Sequence, residues 1–367
     1  MFMYIFLNSF FVMAIFLLHV LVIYNIAQLY NKRDQLILKD LIITLLKCFG
    51  IYFVALIAFI FISSTLYQIT YVISFTYLAY LLYVYFFSLI HKSITRYTSM
   101  SFLYSQIFVF IIPLMILIFS LINAQVTKYQ EVTIIYPGYN DSLKIMQISD
   151  IHLGGVHQKG SIENIVKIIN ETKPDVVAIT GDISDGSSTV QAEWLEPFNQ
   201  VSKDTEVLYI TGNHEDLYGR DEIIDTINKV EKINHIGDKD EILRVKGVSI
   251  IGLDYKYSDV KERVNTLINK FGVNVDTEPT VLLSHIPNCS LKEYKEMGIY
   301  LALAGHTHGG QWFPLSILTY LTSKYFCGLY KDENSNYLFV SIGYGTGLFP
   351  IRNFSQRTIA LITLKGN

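Results

Sequence analysis

The sequence predicts an N-terminal all-α membrane domain followed by an α/β domain, and three observations carry that reading. Four apolar stretches fill residues 1–123. From about residue 131, short runs rich in Val, Ile, Leu and Tyr alternate with amphipathic helical segments. Charge divides at the same place. Residues 1–130 hold seven Lys/Arg and two Asp/Glu, a net of +5, and the other 237 residues hold 22 and 30, a net of −8, which together give −3. The chain is 51% hydrophobic and 17% charged, below the roughly 25% charge usual in soluble domains. The expected organisation is residues 1–125 as a four-helix transmembrane domain, 126–142 as linker and first strand, and 143–367 as the α/β domain.

The apolar stretches read as spans at about 3–29, 48–67, 69–90 and 102–123, each long enough for the ~30 Å hydrocarbon core, which needs about 20 residues. The first lacks the basic start and the small-residue cleavage site of a signal peptide. Lys47 can snorkel to the interface at the start of the second span, and Tyr67-Gln68 reads as a tight turn between the second and third. The loop with Lys32, Arg33, Lys39 and Lys47 and the loop with Lys92 and Arg96 lie on one side. The positive-inside rule assigns that side to the cytoplasm, so everything after the fourth span is expected to be extracytoplasmic. His19 and Asn25 read as partners in helix–helix hydrogen bonds. The scarcity of ionisable residues within the spans argues against a transporter.

In the second half the strand-like runs are Val132–Tyr136, Leu143–Ser149, Val176–Thr180, Val207–Thr211, Val248–Leu253, Val281–Ser284, Leu301–Ala304, Leu338–Ile342 and Thr358–Leu364. Their length and β-branched content suit buried strands. Helices are expected from a Ser161 cap to Thr172, over Asp221–Ile233, from Ser258 or Asp259 to Phe271, and over Ser290–Met297, with polar caps opening them and Gly or Pro closing three of them. An acidic domain argues against nucleic-acid binding by charge. Three cysteines without a C-x-x-C do not form a disulfide framework, and Cys289 and Cys327 read as free thiols.

Strand after strand ends in a polar cluster. These are Asp150-Ile-His152, Gly181-Asp182-Ile-Ser-Asp185, Gly212-Asn213-His214-Glu215, His285, and Gly305-His306-Thr-His308, and they hold five of the nine histidines. Sites in α/β sheets form at the carboxyl ends of strands. His306 and His308, one residue apart on extended chain, project to one side, and the glycines around them let the backbone pass close to a ligand. Asp150, Asp182, Asn213, His152, His285, His306 and His308 are too many donors for one transition metal and fit two metals sharing a carboxylate. A mixed oxygen and nitrogen set suits Mn, Fe, Zn or Co rather than Mg or Ca. Two such ions about 3.5–4 Å apart hold a hydroxide at neutral pH and clamp the attacking and leaving oxygens of a phosphoryl displacement.

The five motifs, in this order, resemble those of the calcineurin-like metallophosphoesterase family over about residues 143–367. The longer strings S-D-I-H-L-G (149–154), L-S-H-I-P (283–287) and A-G-H-T-H-G-G-Q (304–311) are similar to a bacterial, often membrane-linked branch. The resemblance implies a four-layer sandwich of two mixed β-sheets flanked by helices. It implies one cation on Asp150, His152, Asp182 and His308, and a second on Asp182, Asn213, His285 and His306. His214 would then face the phosphate as a catalytic group oriented by Asp185. An imidazolium paired with a carboxylate suits a general acid.

The resulting expectation is a membrane-anchored, dinuclear-metal phosphoester hydrolase. Its substrate is a phosphodiester, pyrophosphate or monoester, soluble or lipid-linked, attacked by a metal-held hydroxide. The rivals are a phosphomonoesterase or protein phosphatase, and a non-catalytic metal-bound membrane sensor. Nearby, His157 and His235 read as surface residues, and Glu215 as a residue that positions its loop. Gly343–Gly347 reads as a turn lining the site. Arg352 pairs with an acid or contacts the substrate phosphate. Gln311 and the apolar segment after it mark where the substrate enters. Residues 312–329 are either a core-packed segment or a lid that dips toward the bilayer.

Overall fold

The computed structural model describes residues 20–22, 64–186, 190–333 and 336–367. The chain divides into two compact units, the first running to Asn123 and including Leu348–Ile351, the second made of Ala124–Gly347 and Arg352–Asn367.

In the first unit, helix α1 spans Ser64–Ile94 and helix α2 spans Phe102–Asn123. Helix α2 widens into a π-turn over Ile107–Ile111, just ahead of Pro113. Proline lacks an N–H and its ring crowds the carbonyl four residues earlier, and the wider turn relieves both. Two segments among the described residues, Tyr71–Ile94 and Phe102–Asn123, are long and apolar enough to cross a membrane. They correspond to the third and fourth expected spans. The expected spans 3–29 and 48–67 lie outside the described residues, apart from 20–22, which are helical, and 64–67, as do His19, Asn25 and Lys47. The expected turn at Tyr67-Gln68 is absent, because α1 runs through both residues. No Gly or Pro lies anywhere in Ser64–Ile94 to interrupt it.

The second unit is built on two six-stranded mixed sheets. The first has the order β1 (Thr127–Ile135), β12 (Arg357–Lys365), β2 (Ser142–Ile148), β3 (Val176–Thr180), β4 (Glu206–Ile210) and β5 (Ile233–His235). The second has the order β10 (Gly328–Lys331), β11 (Tyr337–Val340), β9 (Leu301–Ala304), β8 (Thr280–Ser284), β7 (Val248–Leu253) and β6 (Leu243–Val245). Strands β2 to β5 are parallel, as are β7, β8, β9 and β11. Strands β12, β6 and β10 are antiparallel to β2, β7 and β11 respectively.

Alternation along each strand divides the core into layers. Leu143 and Ile145 of β2, Val176 and Ala178 of β3, Val281 and Leu283 of β8, and Leu301 and Leu303 of β9 meet between the sheets. Met146, Ile148, Val177 and Ile179 face the other way, onto Ile162, Ile165 and Ile169 of helix α3 (Lys159–Thr172) and onto helix α4 (Ala192–Leu195). Leu282, Ala302 and Ala304 face Val264 and Leu267 of helix α7 (Val260–Phe271) and Tyr294 of helix α8 (Leu291–Glu296). Both faces of both sheets are covered, which is why the strands read as continuous apolar runs. Helices α5 (Glu215–Tyr218), α6 (Arg220–Asn228) and α9 (Leu315–Thr322) complete the set.

Several boundaries differ from the sequence expectation. Gln158, not Ser161, occupies the cap position of α3, and the Ser161 hydroxyl bonds to His157 instead. Helix α6 stops at Asn228, and Ile233 begins β5, paired with Val207. The three strands missed in the sequence, β5, β6 and β10, are sheet edges of three or four residues. Pairing makes such short strands, and propensity does not announce them. Asp259 caps α7, and Ser290 with Glu293 forms a capping box on α8, as the sequence indicates.

Candidate metal centre

The polar clusters lie at the carboxyl ends of β2, β3 and β4 in one sheet and of β8 and β9 in the other. Both sheets thus contribute to a single edge. Asp150, His152, Asp182, His306 and His308 all have positive φ, between 52° and 75°. That left-handed region costs a non-glycine residue about 1–2 kcal/mol. Five strained residues at one edge let the chain turn as soon as each strand ends, with the side chain aimed across the gap.

Ligand-capable atoms converge in three overlapping groups, each within 4.8 Å: Asp150 with His152 and His308, His152 with Asp182 and His214, and Asp182 with His285 and His306. His152 Nε2 lies 2.9 Å from His308 Nε2, and His308 Nε2 lies 3.4 Å from Asp150 Oδ1. Asp182 Oδ2 stands 3.2 Å from His285 Nε2 and 3.8 Å from His152 Nε2, between the two halves of the cluster. The Asn213 amide oxygen is 3.1 Å from His285 Nε2 and 2.8 Å from His306 Nδ1. All seven expected donors are brought together.

Burial holds His152 and His308 far below the usual imidazole range, so both are neutral. Two neutral imidazole nitrogens in contact, with His152 Nδ1 buried and unpartnered, are arranged for a shared cation rather than for one another. Burial opposes the Asp182 charge, yet the His285 imidazole outweighs it and keeps this carboxyl well below the ordinary carboxylate range. Burial, with Asp182 beside it, pushes Asp150 up to about 6. Two neighbouring carboxylates, with the neutral imidazoles of His152 and His308 beside them, fit a site that binds positive charge.

The surrounding contacts revise several expectations. His214 Nδ1 donates to the Asp185 backbone carbonyl at 2.8 Å, and the Asp185 carboxylate accepts from Gly155 N at 2.7 Å. Asp185 therefore orients His214 through its peptide and not through the expected carboxylate pair. Glu215 is fully buried and accepts from the backbone N–H groups of Asp182, Ser184 and Gly212 at 3.0, 2.9 and 2.6 Å. It ties the β3 and β4 loops together, which is the positioning role read from sequence. A Cβ on Gly212 would overlap the Asp182 carboxylate, so only glycine lets the second loop pass.

Arg352 does not reach outward to a substrate phosphate. It is completely buried, and its guanidinium donates to the carbonyls of Ile342, Gly343 and Gly345 and to His308 O. Gln311 is also not free for substrate, since its amide clamps both N and O of Gly347. Residues 343–347 do line the site, with Gly345 N donating to Asp150 O at 2.7 Å.

His157 and His235 are buried, not on the surface. His157 sits between Ser161 and Thr346, and His235 and Arg220 both bond Asp254. Asp254 also accepts from Thr211 N at the entry to the Asn213 loop. No local pattern marked Asp254 or His235, because their partners come from other elements. A cleft of about 670 Å³ opens beside His285, with Asp254, Tyr255, Lys256 and Asn288 on its walls. Cys289 and Cys327 are free thiols.

Two mixed sheets with strand-end carboxylates and imidazoles gathered at one edge define a candidate dinuclear metal protein of the α/β sandwich class. Residues 143–310 match the family described as calcineurin-like phosphoesterase, and the chain belongs to that family. An uncharacterized metallophosphoesterase of Aquifex aeolicus is 31% identical over 232 residues, 61% of this chain and 85% of the relative. One from Helicobacter pylori strain J99 is 32% identical over 227 residues, 60% of each chain. A Danio rerio transmembrane protein with metallophosphoesterase domain is 30% identical over 244 residues, 61% of this chain and 54% of the relative. The match thus spans about 60% of the length of the Helicobacter relative.

Proposed function

We propose that the protein is a membrane-anchored, metal-dependent phosphoester hydrolase. The observation that carries this reading is the overlap of three donor groups on the shared residues His152 and Asp182. Asp150, His152, Asp182 and His308 would hold one divalent cation, and Asp182, Asn213, His285 and His306 the other, with Asp182 common to both. Mn, Fe, Zn or Co suits such a donor set. When bound, the pair supplies a nucleophilic water at neutral pH and Lewis-acid charge for the phosphoryl oxygens.

The chain's own residues do the rest. Asn213 is a neutral donor, which limits negative charge where an anionic phosphate must enter. His214 keeps its Nδ1 proton on the Asp185 carbonyl, so Nε2 is the nitrogen that faces the site and hands a proton to the leaving oxygen. The side chain is 28% exposed, which leaves it open to substrate. The cleft beside His285 has room for the remainder of the ester. The apolar segments Tyr71–Ile94 and Phe102–Asn123 support an anchoring role, and the basic bias of the loops supports an extracytoplasmic catalytic unit.

The test is hydrolysis of a phosphodiester, a phosphomonoester and a lipid pyrophosphate by the purified full chain with added Mn²⁺, beside Asp182→Ala and His214→Ala. Activity on at least one substrate, abolished by Asp182→Ala and reduced about 10²-fold or more by His214→Ala, is expected. Mutants as fast as the parent would refute the mechanism. A metal-bound but inactive protein would favour the sensor reading.

A further inference from the structure

Helix α9 is built inside out. Ser316 and Thr319 face the domain, while Leu315, Ile317, Leu318, Tyr320 and Leu321 are all exposed, Leu318 by 56% and Leu321 by 73%. At 100° per residue, Ile317, Leu321 and Leu318 fall within one arc of about 100°, on the side away from Ser316 and Thr319. The helix carries no charge. It sits directly on the histidine loop, where a Cβ on Gly310 would lie 2.8 Å from Ser316 Cα. Phe354, 83% exposed and edge-on to Phe313, extends the apolar surface. A contiguous exposed patch of this kind marks an interaction surface.

Strand register indicates what covers it. Strand β1 runs parallel to β12 from the pair Thr127–Arg357, and β12 runs antiparallel to β2 with Ala360 opposite Gln147. The start of β1 therefore lies at the carboxyl edge of β2, the edge that carries Asp150 and His152. Arg357 donates to the carbonyl of buried Ala124, which fixes the entering chain there. Only residues 124–126 separate that strand from Asn123, the end of a segment long and apolar enough to cross a membrane. Three residues reach about 11 Å at full extension. The tether, the metal cluster and the inverted helix thus share one edge of the second unit.

We propose that this edge rests on the bilayer, with Leu315, Ile317, Leu318, Leu321 and Phe354 seated at the boundary between headgroups and acyl chains. An uncharged face carrying Leu, Ile and Phe beside a polar site suits that boundary, where apolar faces insert about 5–10 Å. The inference rests on the membrane-anchored phosphoesterase reading and deepens it. A site opening at the headgroup level is placed to take phosphoesters carried by lipids.

The experiment uses the full chain in nanodiscs of phosphatidylcholine and phosphatidylglycerol, with Cys48, Cys289 and Cys327 replaced by Ser. An environment-sensitive fluorophore is attached at Leu318→Cys, at Phe354→Cys and, as control, at Lys203→Cys. Lys203 is exposed in the loop entering β4, at the opposite edge. Nitroxide on the upper acyl chain should quench the labels at 318 and 354 and spare 203, and aqueous iodide should do the reverse. Iodide quenching at 318 and 354 equal to that at 203 overturns the proposal. So does shielding from both quenchers, which would mean that a second copy or another protein surface covers the helix. Hydrolysis of a soluble ester on the same nanodiscs is read separately. Lost activity with intact lipid quenching refutes the reaction and leaves the placement standing, and the converse result refutes the placement alone.

Discussion

Acid should destabilise this protein partly through His157, and His157→Gln should remove that part. The His157 ring lies between Ser161 Oγ at 3.1 Å and the backbone N–H of Thr346, which donates to Nε2 at 3.1 Å. An accepting Nε2 has no proton, so the folded form holds the neutral ring. Burial, aided by Arg357 and Arg352, pushes its pKa down from 6.5 to about 3. A base depressed in the folded state gives stability above its unfolded pKa and loses it as pH falls toward the folded value. At about pH 5 the unfolded ring is about thirtyfold protonated over neutral while the folded ring stays neutral, a loss of ~2 kcal/mol relative to about pH 7.5. Glutamine retains an acceptor for Thr346 N and cannot titrate. The assay is denaturant unfolding of the full chain in detergent, followed by fluorescence of buried Trp194, for parent and variant at both pH values. Titration of the other histidines is common to both proteins and cancels in the difference. The gap between parent and variant should narrow by ~2 kcal/mol on acidification, and parallel pH dependences would refute the reasoning.

Three further outcomes follow from the site. Glu215→Gln places an NH₂ against backbone donors that now share a carboxylate. It should cost about 2–4 kcal/mol and lower the metal retained on dialysis, read by unfolding midpoint and metal analysis. Arg352→Met leaves the buried carbonyls of Gly343 and Gly345 without their guanidinium. It should cost about 3–5 kcal/mol, and Arg352→Lys should recover less than half of that, because one ammonium cannot span the same carbonyls. Gly212→Ala drives a methyl group into the Asp182 carboxylate and should cut metal-dependent hydrolysis by more than about 10²-fold. A near-normal rate would mean that Asp182 has room the geometry does not show.

The site residues were legible because their chemistry is local. Each motif ends an apolar run, and the residue types alone indicate donors at strand ends. Contacts made across the fold were not legible. Asp185 and His214 lie on loops after different strands, and the fold joins them through a peptide carbonyl. His157 and His235 look like polar loop residues until Thr346 and Asp254 are folded against them. The segment after Gln311 reads from sequence as either core-packed or a lid, and in α9 the small polar residues take the inner face while the large apolar ones are left outside.

Sequence alone determined the α/β class, the order of the motifs and the seven candidate donors, since hydrophobic periodicity and residue type are properties of short segments. The tertiary structure alone decided which donors share a neighbourhood, that Asp182 stands between the two groups, and that Arg352 and Glu215 brace the loops from behind. It also decided that the chain enters the second unit at the same edge as the site. These depend on strand order and register, which hydrogen bonds between distant segments fix and no local stretch encodes.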